Sequence, residues 1–333
     1  MNYNVSIALC TYNGEKYIEE QVNSLINQTR KPDEIVVSDD NSKDRTIEII
    51  EELLKDTGIK LVVNKNVPAK GVFKNFETAI SLCSGDIIFT CDQDDVWKLE
   101  KLEKMVAAFD EQTMVVYCNA AVVVNNIENY LYPLWEPKAI DDKENGTSSF
   151  NNIVFRGGSI AGCCMAFKKE LFNKIKPFPD KVYHDDWLIT CASILGKVKA
   201  VNEELIYYRQ HGDNVCGIIR GSKLSYYKSL ITNIRPYIEH REYIYGRHML
   251  VFNALVDHGL IDEKLKKELE ENLILCKDRG EIRTLSWKEN IKNAHKDYKL
   301  GYYKKYAKGN YEYFKDLYDI TIERLFMRNE KVN

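Results

Sequence analysis

"IIFTCDQDDVWK", residues Ile87 to Lys98, is the stretch whose reading decides the fold. Four β-favouring positions run straight into Asp92, Asp94 and Asp95, with Glu100 and Glu103 close behind. A chain burying a strand has no hydrophobic reason to end it in carboxylates. Either a solvated helix begins there, with Asp94 or Asp95 as its cap, or a cation sits among the acids.

The flanking segments alternate. "VSIALC" (5–10) is β-rich, and Glu15 to Asn27 follows with Ile18, Val22, Leu25 and Ile26 on one helical face. "EIVVSDD" (34–40) reads as a strand and 42–56 as a helix opened by Ser42 or Asp44. "KLVVN" (60–64) is a strand, and 71–85 a helix stopped by Gly85. Strands at 86–92 and 114–124 bracket a helix from Trp97 to Phe109. Strands alternating with helices predict right-handed crossovers and a mainly parallel α/β sheet. Residues 125–152 are polar and read as a long loop or flap; His184–Leu195 reads as a helix and 197–212 as a strand. From Ser222 onward the pattern is helical and rich in Tyr and Lys. Two domains are expected, 1–220 and a helical extension, 221–333.

The chain has 333 residues, 44% of them hydrophobic, enough for a large α/β domain with an appendage. A net charge of −3 argues against a nucleic-acid partner. The nine cysteines include no Cys-x-x-Cys pair, so they read as buried thiols rather than a disulfide framework or zinc site. The opening Met-Asn-Tyr-Asn has no signal-peptide character, and no run of about 18 apolar residues occurs. A cytoplasmic protein, in contact at most with the inner membrane face, is the expectation.

In an open parallel sheet, ligands bind at the carboxyl ends of the strands. Those ends here are Thr11-Tyr12-Asn13-Gly14, Ser38-Asp39-Asp40-Asn41-Ser42 and Asp92-Gln93-Asp94-Asp95, all polar and all on one edge. An EF-hand is excluded, because Trp97 stands at loop position six where Gly is needed. A P-loop ATPase is excluded by the lack of its glycine-rich signature. An aspartyl-phosphate phosphatase with Asp92 as nucleophile stays open on these residues, as does a binding protein without catalysis.

Taken together, "VSIALCTYNGEKYIEEQVNSL", "PDEIVVSDDNSKDRT", "DQDDVW", "HDDW" and "YRQHGDN" closely resemble the family 2 glycosyltransferases, inverting enzymes of the GT-A fold. The likeness covers roughly residues 4–217, and "HDDW" with "YRQHGDN" is most similar to rhamnosyltransferase-like bacterial members that build surface polysaccharides. The resemblance implies that Thr11, Tyr12, Asn13 and Glu15 line the nucleotide base and that Asp39 or Asp40 accepts the pyrimidine N3–H. It implies that Asp92 and Asp94 are the Asp-x-Asp pair, with Gln93 beside the nucleotide. Carboxylates would repel a diphosphate, so a divalent cation, Mn²⁺ or Mg²⁺, is expected between them. Strand alternation would point Asp92 and Asp94 to one side, leaving Asp95 to cap the following helix. Asp185 matches the base that deprotonates the acceptor hydroxyl, with Asp186 as second choice; both as mere helix caps is the competing reading. His211 is expected at the metal or diphosphate, and Arg209 and Gln210 at the diphosphate. Gly157, Gly158 and Gly162 are expected to line the acceptor or sugar pocket, or else to serve tight packing, and Trp187 to be a sugar-stacking platform in that pocket or part of the core.

The implied donor is a UDP- or dTDP-sugar and the acceptor a glycan or lipid-linked hydroxyl. Lys288–Lys308 carries seven Lys against two acids, interleaved with Tyr298, Tyr302, Tyr303 and Tyr306. Such a stretch suits an anionic membrane surface; a solvated helix face or a homo-oligomer contact explains it equally.

Overall fold

The computed structural model describes residues 3–135, 153, 160–212, 234–280, 285–307 and 309–330, with side chains omitted in 234–245 and 322–330. Two compact units form: residues 1–149 with 159–218, and residues 150–158 with 219–333.

The first unit is a nine-stranded sheet: β1 (Val5–Thr11), β2 (Glu34–Asp39), β3 (Lys60–Lys65), β4 (Ile87–Cys91), β5 (Val96–Trp97), β6 (Thr113–Val124), β7 (Tyr130–Pro133), β8 (Met165–Lys168) and β9 (Lys197–Gln210). The order is β3-β2-β1-β4-β8-β6-β9-β5, with β7 on β6. β1 pairs in parallel with β2 and β4, β2 with β3, and β6 with β9. The short strands β5, β7 and β8 run antiparallel to their neighbours. The sheet is thus mainly parallel, as the alternation requires. β1, β2 and β4 are buried along their whole length, because helices cover both faces of a parallel sheet.

Those helices are α1 (Ile18–Ile26), α2 (Thr46–Leu54), α3 (Gly71–Leu82), α4 (Lys101–Ala107), α5 (Lys169–Ile175) and α6 (His184–Leu195). Three boundaries differ from expectation, each for a local reason. α4 starts at Lys101 because Val96 and Trp97 pair with Tyr207 and Ile206 of β9, so Asp95 caps no helix. α2 starts at Thr46, whose amide and hydroxyl both reach the Asp44 carboxylate. α3 ends at Leu82 rather than Gly85, whose amide instead donates to Ser6 Oγ at 2.7 Å.

The second unit holds α7 (Ile234–Asp257), α8 (Glu263–Gly280), α9 (Trp287–Lys299), α10 (Tyr302–Tyr306) and α11 (Asn310–Glu330). α9 opens with a capping box between Ser286 and Glu289. Arg279 of α8 pairs with Glu312 and Asp316 of α11, and Tyr303 donates to Asp316 at 2.8 Å. Among the described residues no helix is long and apolar enough to cross a membrane.

Candidate active site

The loops after β1 and β2 are stitched together. Thr11 Oγ1 donates to Asp39 Oδ2 at 2.8 Å; Ser42 gives Asp39 its amide at 2.8 Å and its hydroxyl at 2.5 Å. Asn13, at φ 47°, takes the Lys43 amide on Oδ1 and sends its own amide to Ser42 Oγ. Glu15 accepts from the Arg45 amide while donating its own to Asp44. Asp40 caps α3, receiving the Lys70 amide at 2.6 Å and the Gly71 amide at 2.9 Å. Thr11, Asn13, Glu15, Asp39 and Asp40 therefore sit together, and the Tyr12 ring stands exposed beside them.

Gln93 ties this group to the acidic loop. Its Oε1 accepts the Tyr12 amide at 2.8 Å and its Nε2 donates to the Tyr12 carbonyl at 3.0 Å. A Cβ on Gly14 would meet Gln93 Oε1 at 2.2 Å, so any side chain there would push the Gln93 amide from its place.

β4 ends at Cys91, so strand alternation does not govern residues 92–95. Asp94 turns to His211, with Oδ2 2.9 Å from Nε2. Asp92 clusters with Asp95 and Cys163, one ligand atom of each lying within 4.8 Å of the others. Burial first, then the negative charges of Asp94 and Asp185, push Asp92 up to about 7, against the opposing pull of Lys101. Asp95 is fully buried; it accepts the Arg209 amide on Oδ1, while Oδ2 has no hydrogen-bond partner among the described residues. Burial, then Asp94 and Asp92, raises it strongly.

Three converging carboxylates and an orphaned buried oxygen are the environment a cation relieves. Among the described residues the ligand atoms that converge are those of Asp92, Asp95 and Cys163, while Asp94 and His211 pair with each other; the carboxylate oxygens and the imidazole nitrogen are donor types that Mn²⁺ or Mg²⁺ accepts.

Asp185 lies in the first turn of α6, half-buried, whereas Asp186 is buried. Asp185 Oδ2 accepts the Gly162 amide at 3.1 Å. Gly162 is held on its other side by Thr90 Oγ1, which donates to its carbonyl at 2.6 Å. His184 is buried and stacked on Phe76 at 3.7 Å, and burial drives it down to about 3.

Three expected residues serve differently in the structure. Arg209 is turned inward: Nε donates to the Asp94 carbonyl and NH1 to the Asn125 carbonyl, each at 2.7 Å, and NH2 pairs with Glu20. It clasps the acidic loop instead of reaching outward to a diphosphate. Trp187 is fully buried and donates to the Ile175 carbonyl at 3.1 Å, which makes it core rather than a sugar platform. Gln210 is buried, and its Nε2 donates to the carbonyl of the preceding Arg209 at 3.4 Å. Gly157 and Gly158 lie outside the described residues.

Lys101 escaped the sequence reading. It is fully buried, its Nζ 3.7 Å from the Trp97 ring centroid and 2.5 Å from the Cys163 carbonyl. Its signal was phase: Lys101 falls with Leu102, Met105 and Val106 on the buried face of α4.

The family model described as glycosyl transferase family 2 matches residues 6–176. An uncharacterized glycosyltransferase of Nostoc is 27% identical over 63% of this chain, which spans 66% of that protein. The dTDP-rhamnosyl transferase RfbG of Shigella flexneri is 30% identical over 88% of this chain and 97% of its own length. Among solved structures, a mannosyltransferase from Pyrobaculum calidifontis in complex with GDP-Man and Mn²⁺ aligns over 98% of this chain and 87% of its own. Its TM-score is 0.53 at 17% identity, a likeness of fold.

Proposed function

This chain belongs to glycosyl transferase family 2, and from that membership we propose that it moves a hexose or deoxyhexose, with inversion, from a UDP- or dTDP-sugar to a hydroxyl of a growing surface glycan. It is a glycosyltransferase of GT-A fold, and the phosphatase reading of Asp92 falls with that assignment.

The observation that carries the reading is the acidic cluster that follows β4, where Asp92 feels the charges of Asp94 and Asp185 and Asp94 pairs with His211. The loops after β1 and β2 receive the base, with Thr11, Tyr12 and Asn13 beside it and Asp39 or Asp40 accepting its N3–H. Asp92, Asp94 and His211 would hold a divalent cation, which would supply positive charge to neutralise the departing nucleoside diphosphate. Asp185, oriented by the Gly162 amide, takes the proton of the acceptor hydroxyl as that oxygen attacks the anomeric carbon. Thr90 of β4 donates to the Gly162 carbonyl and so anchors to the sheet the residue whose amide orients Asp185. The name of the Shigella relative supports a dTDP-deoxyhexose as donor.

Slow donor hydrolysis, in which water stands in for the acceptor, tests the stereochemistry. Proton NMR of the first sugar released from UDP- or dTDP-hexoses should show the anomer opposite to the donor's. Release with the donor's own configuration overturns the inverting reading.

The basic, Tyr-rich helices support a peripheral contact with an anionic lipid surface, where a lipid-linked acceptor would lie. Lys296 and Lys305 are held in ion pairs, while Lys299 and Lys304 stay exposed, as do Tyr311 and Phe314 on α11. Flotation with anionic but not zwitterionic vesicles is expected; unchanged behaviour after Lys299 and Lys304 are replaced by Glu sinks the idea.

A further inference from the structure

Tyr17 and Glu20 stand at the start of α1, nearly two hundred residues before His211, and neither belongs to the acidic loop or the nucleotide loops. Yet the Tyr17 ring stacks on the His211 imidazole, centroids 4.5 Å apart and planes 25° from parallel. The Arg209 guanidinium lies over the same ring at 5.0 Å, and Glu20 pairs with Arg209 NH2. Arg209 in turn holds the Asp94 carbonyl, and His211 holds the Asp94 carboxylate. Both ends of Asp94 are thus fixed by two side chains that rest on one tyrosine.

We propose that Tyr17, braced by the Glu20–Arg209 ion pair, is a positioning residue that sets the plane of the His211 imidazole and so presents Nε2 at the cation site. The inference rests on the reading of His211 as a metal ligand and extends it to a residue that touches neither donor nor cation. An imidazole ligand binds along the in-plane lone pair of one nitrogen, so a rotated ring loses the bond even though the residue is present. His211 follows the last residue of β9, beyond the backbone ladder that would hold it. A stacked aromatic ring restrains that rotation without competing for the lone pair.

The ring, and not the hydroxyl, performs this task. Tyr17 Oη is buried and has no hydrogen-bond partner among the described residues. Removing it costs no visible bond, whereas removing the ring leaves one face of both the imidazole and the guanidinium unsupported. Tyr17→Phe and Tyr17→Leu therefore separate the two possibilities cleanly.

The experiment is calorimetric binding of UDP and dTDP, with and without Mn²⁺, to the full-length protein and to Tyr17→Phe, Tyr17→Leu, His211→Ala and the Tyr17→Leu/His211→Ala double variant. Tyr17→Phe should match the parent within about twofold. Tyr17→Leu should weaken Mn²⁺-dependent nucleotide binding by about tenfold, the lower end of what supporting groups contribute to metal affinity. The melting temperature of the unliganded Tyr17→Leu protein should stay close to the parent's, which a general loss of folding would not allow. In the His211→Ala background the Leu substitution should add less than about twofold, because the two act through one another. Equal losses in both backgrounds, or a Tyr17→Phe defect as large as that of Tyr17→Leu, overturn the positioning role while leaving His211 as a ligand. An unaltered Mn²⁺ dependence in His211→Ala alone overturns both.

Discussion

The Asp185 carboxylate accepts the amide hydrogen of Gly162 at 3.1 Å, so a residue on α6 is aimed by a turn that precedes β8. Its other oxygen takes the amide of Asp186 at 2.8 Å, which fixes the plane of the carboxylate. A base so held loses its chemistry, not its place, when its charge is removed. Asp185→Asn should leave nucleotide binding nearly intact while turnover falls by roughly 10²-fold or more. Asp186→Asn changes a buried group and should show in thermal stability before it shows in turnover. Initial rates alongside melting curves distinguish the pair; normal turnover by Asp185→Asn would remove it from the role of base.

Converging carboxylates make nucleotide binding conditional on a cation. With UDP, dTDP or GDP at a hundred times its dissociation constant, the stabilisation is ~2.7 kcal/mol, which a melting curve resolves. The gain should require Mn²⁺ or Mg²⁺ and should vanish in Asp94→Asn; with all nucleotides at one common concentration it should be larger for UDP and dTDP than for GDP. Equal stabilisation in the presence of a chelator would refute the cation site.

Away from the site, Glu34 should govern stability in acid. Its buried carboxylate would be raised by burial, but Ser6, the amide and hydroxyl of Ser84, and Lys60 hold it down to about 2. A carboxylate lowered in the folded state stabilises the protein fully above its ordinary value of 4.5 and loses that contribution as pH falls toward 2. Glu34→Gln should therefore cost roughly 3 kcal/mol at pH 7, by the free energy of the shift. The gap to the parent should close between pH 4.5 and 2, the window set by that shift. Urea melts at a series of pH values test this; a gap constant with pH would show that Glu34 acts through packing alone.

The strand ends were readable because each follows a run of apolar residues, and a parallel sheet brings such ends to one edge. "SDDNS" and "DQDD" thus located their loops without any knowledge of partners. What the sequence concealed was direction. Arg209 looks like an anion binder in one dimension, and only the fold shows its guanidinium filled by Asp94, Asn125 and Glu20. Val96–Trp97 is too short to announce a strand, so a helix seemed to begin there and Asp95 seemed free to cap it. The stacking of Tyr17 on His211 joins residues with no periodicity between them, and no pattern in one sequence records it.

The four residues from Asp92 to Asp95 leave the sheet at β4 and rejoin it at β5, on the far side of β8, β6 and β9. Such a bridge has little slack. Its ends are fixed by ladders and its middle by Gln93 and Arg209. The acids are therefore gathered by the fold itself, before any ligand arrives. A ligand reaching them need order no backbone, so little of its binding energy is spent on assembling the site.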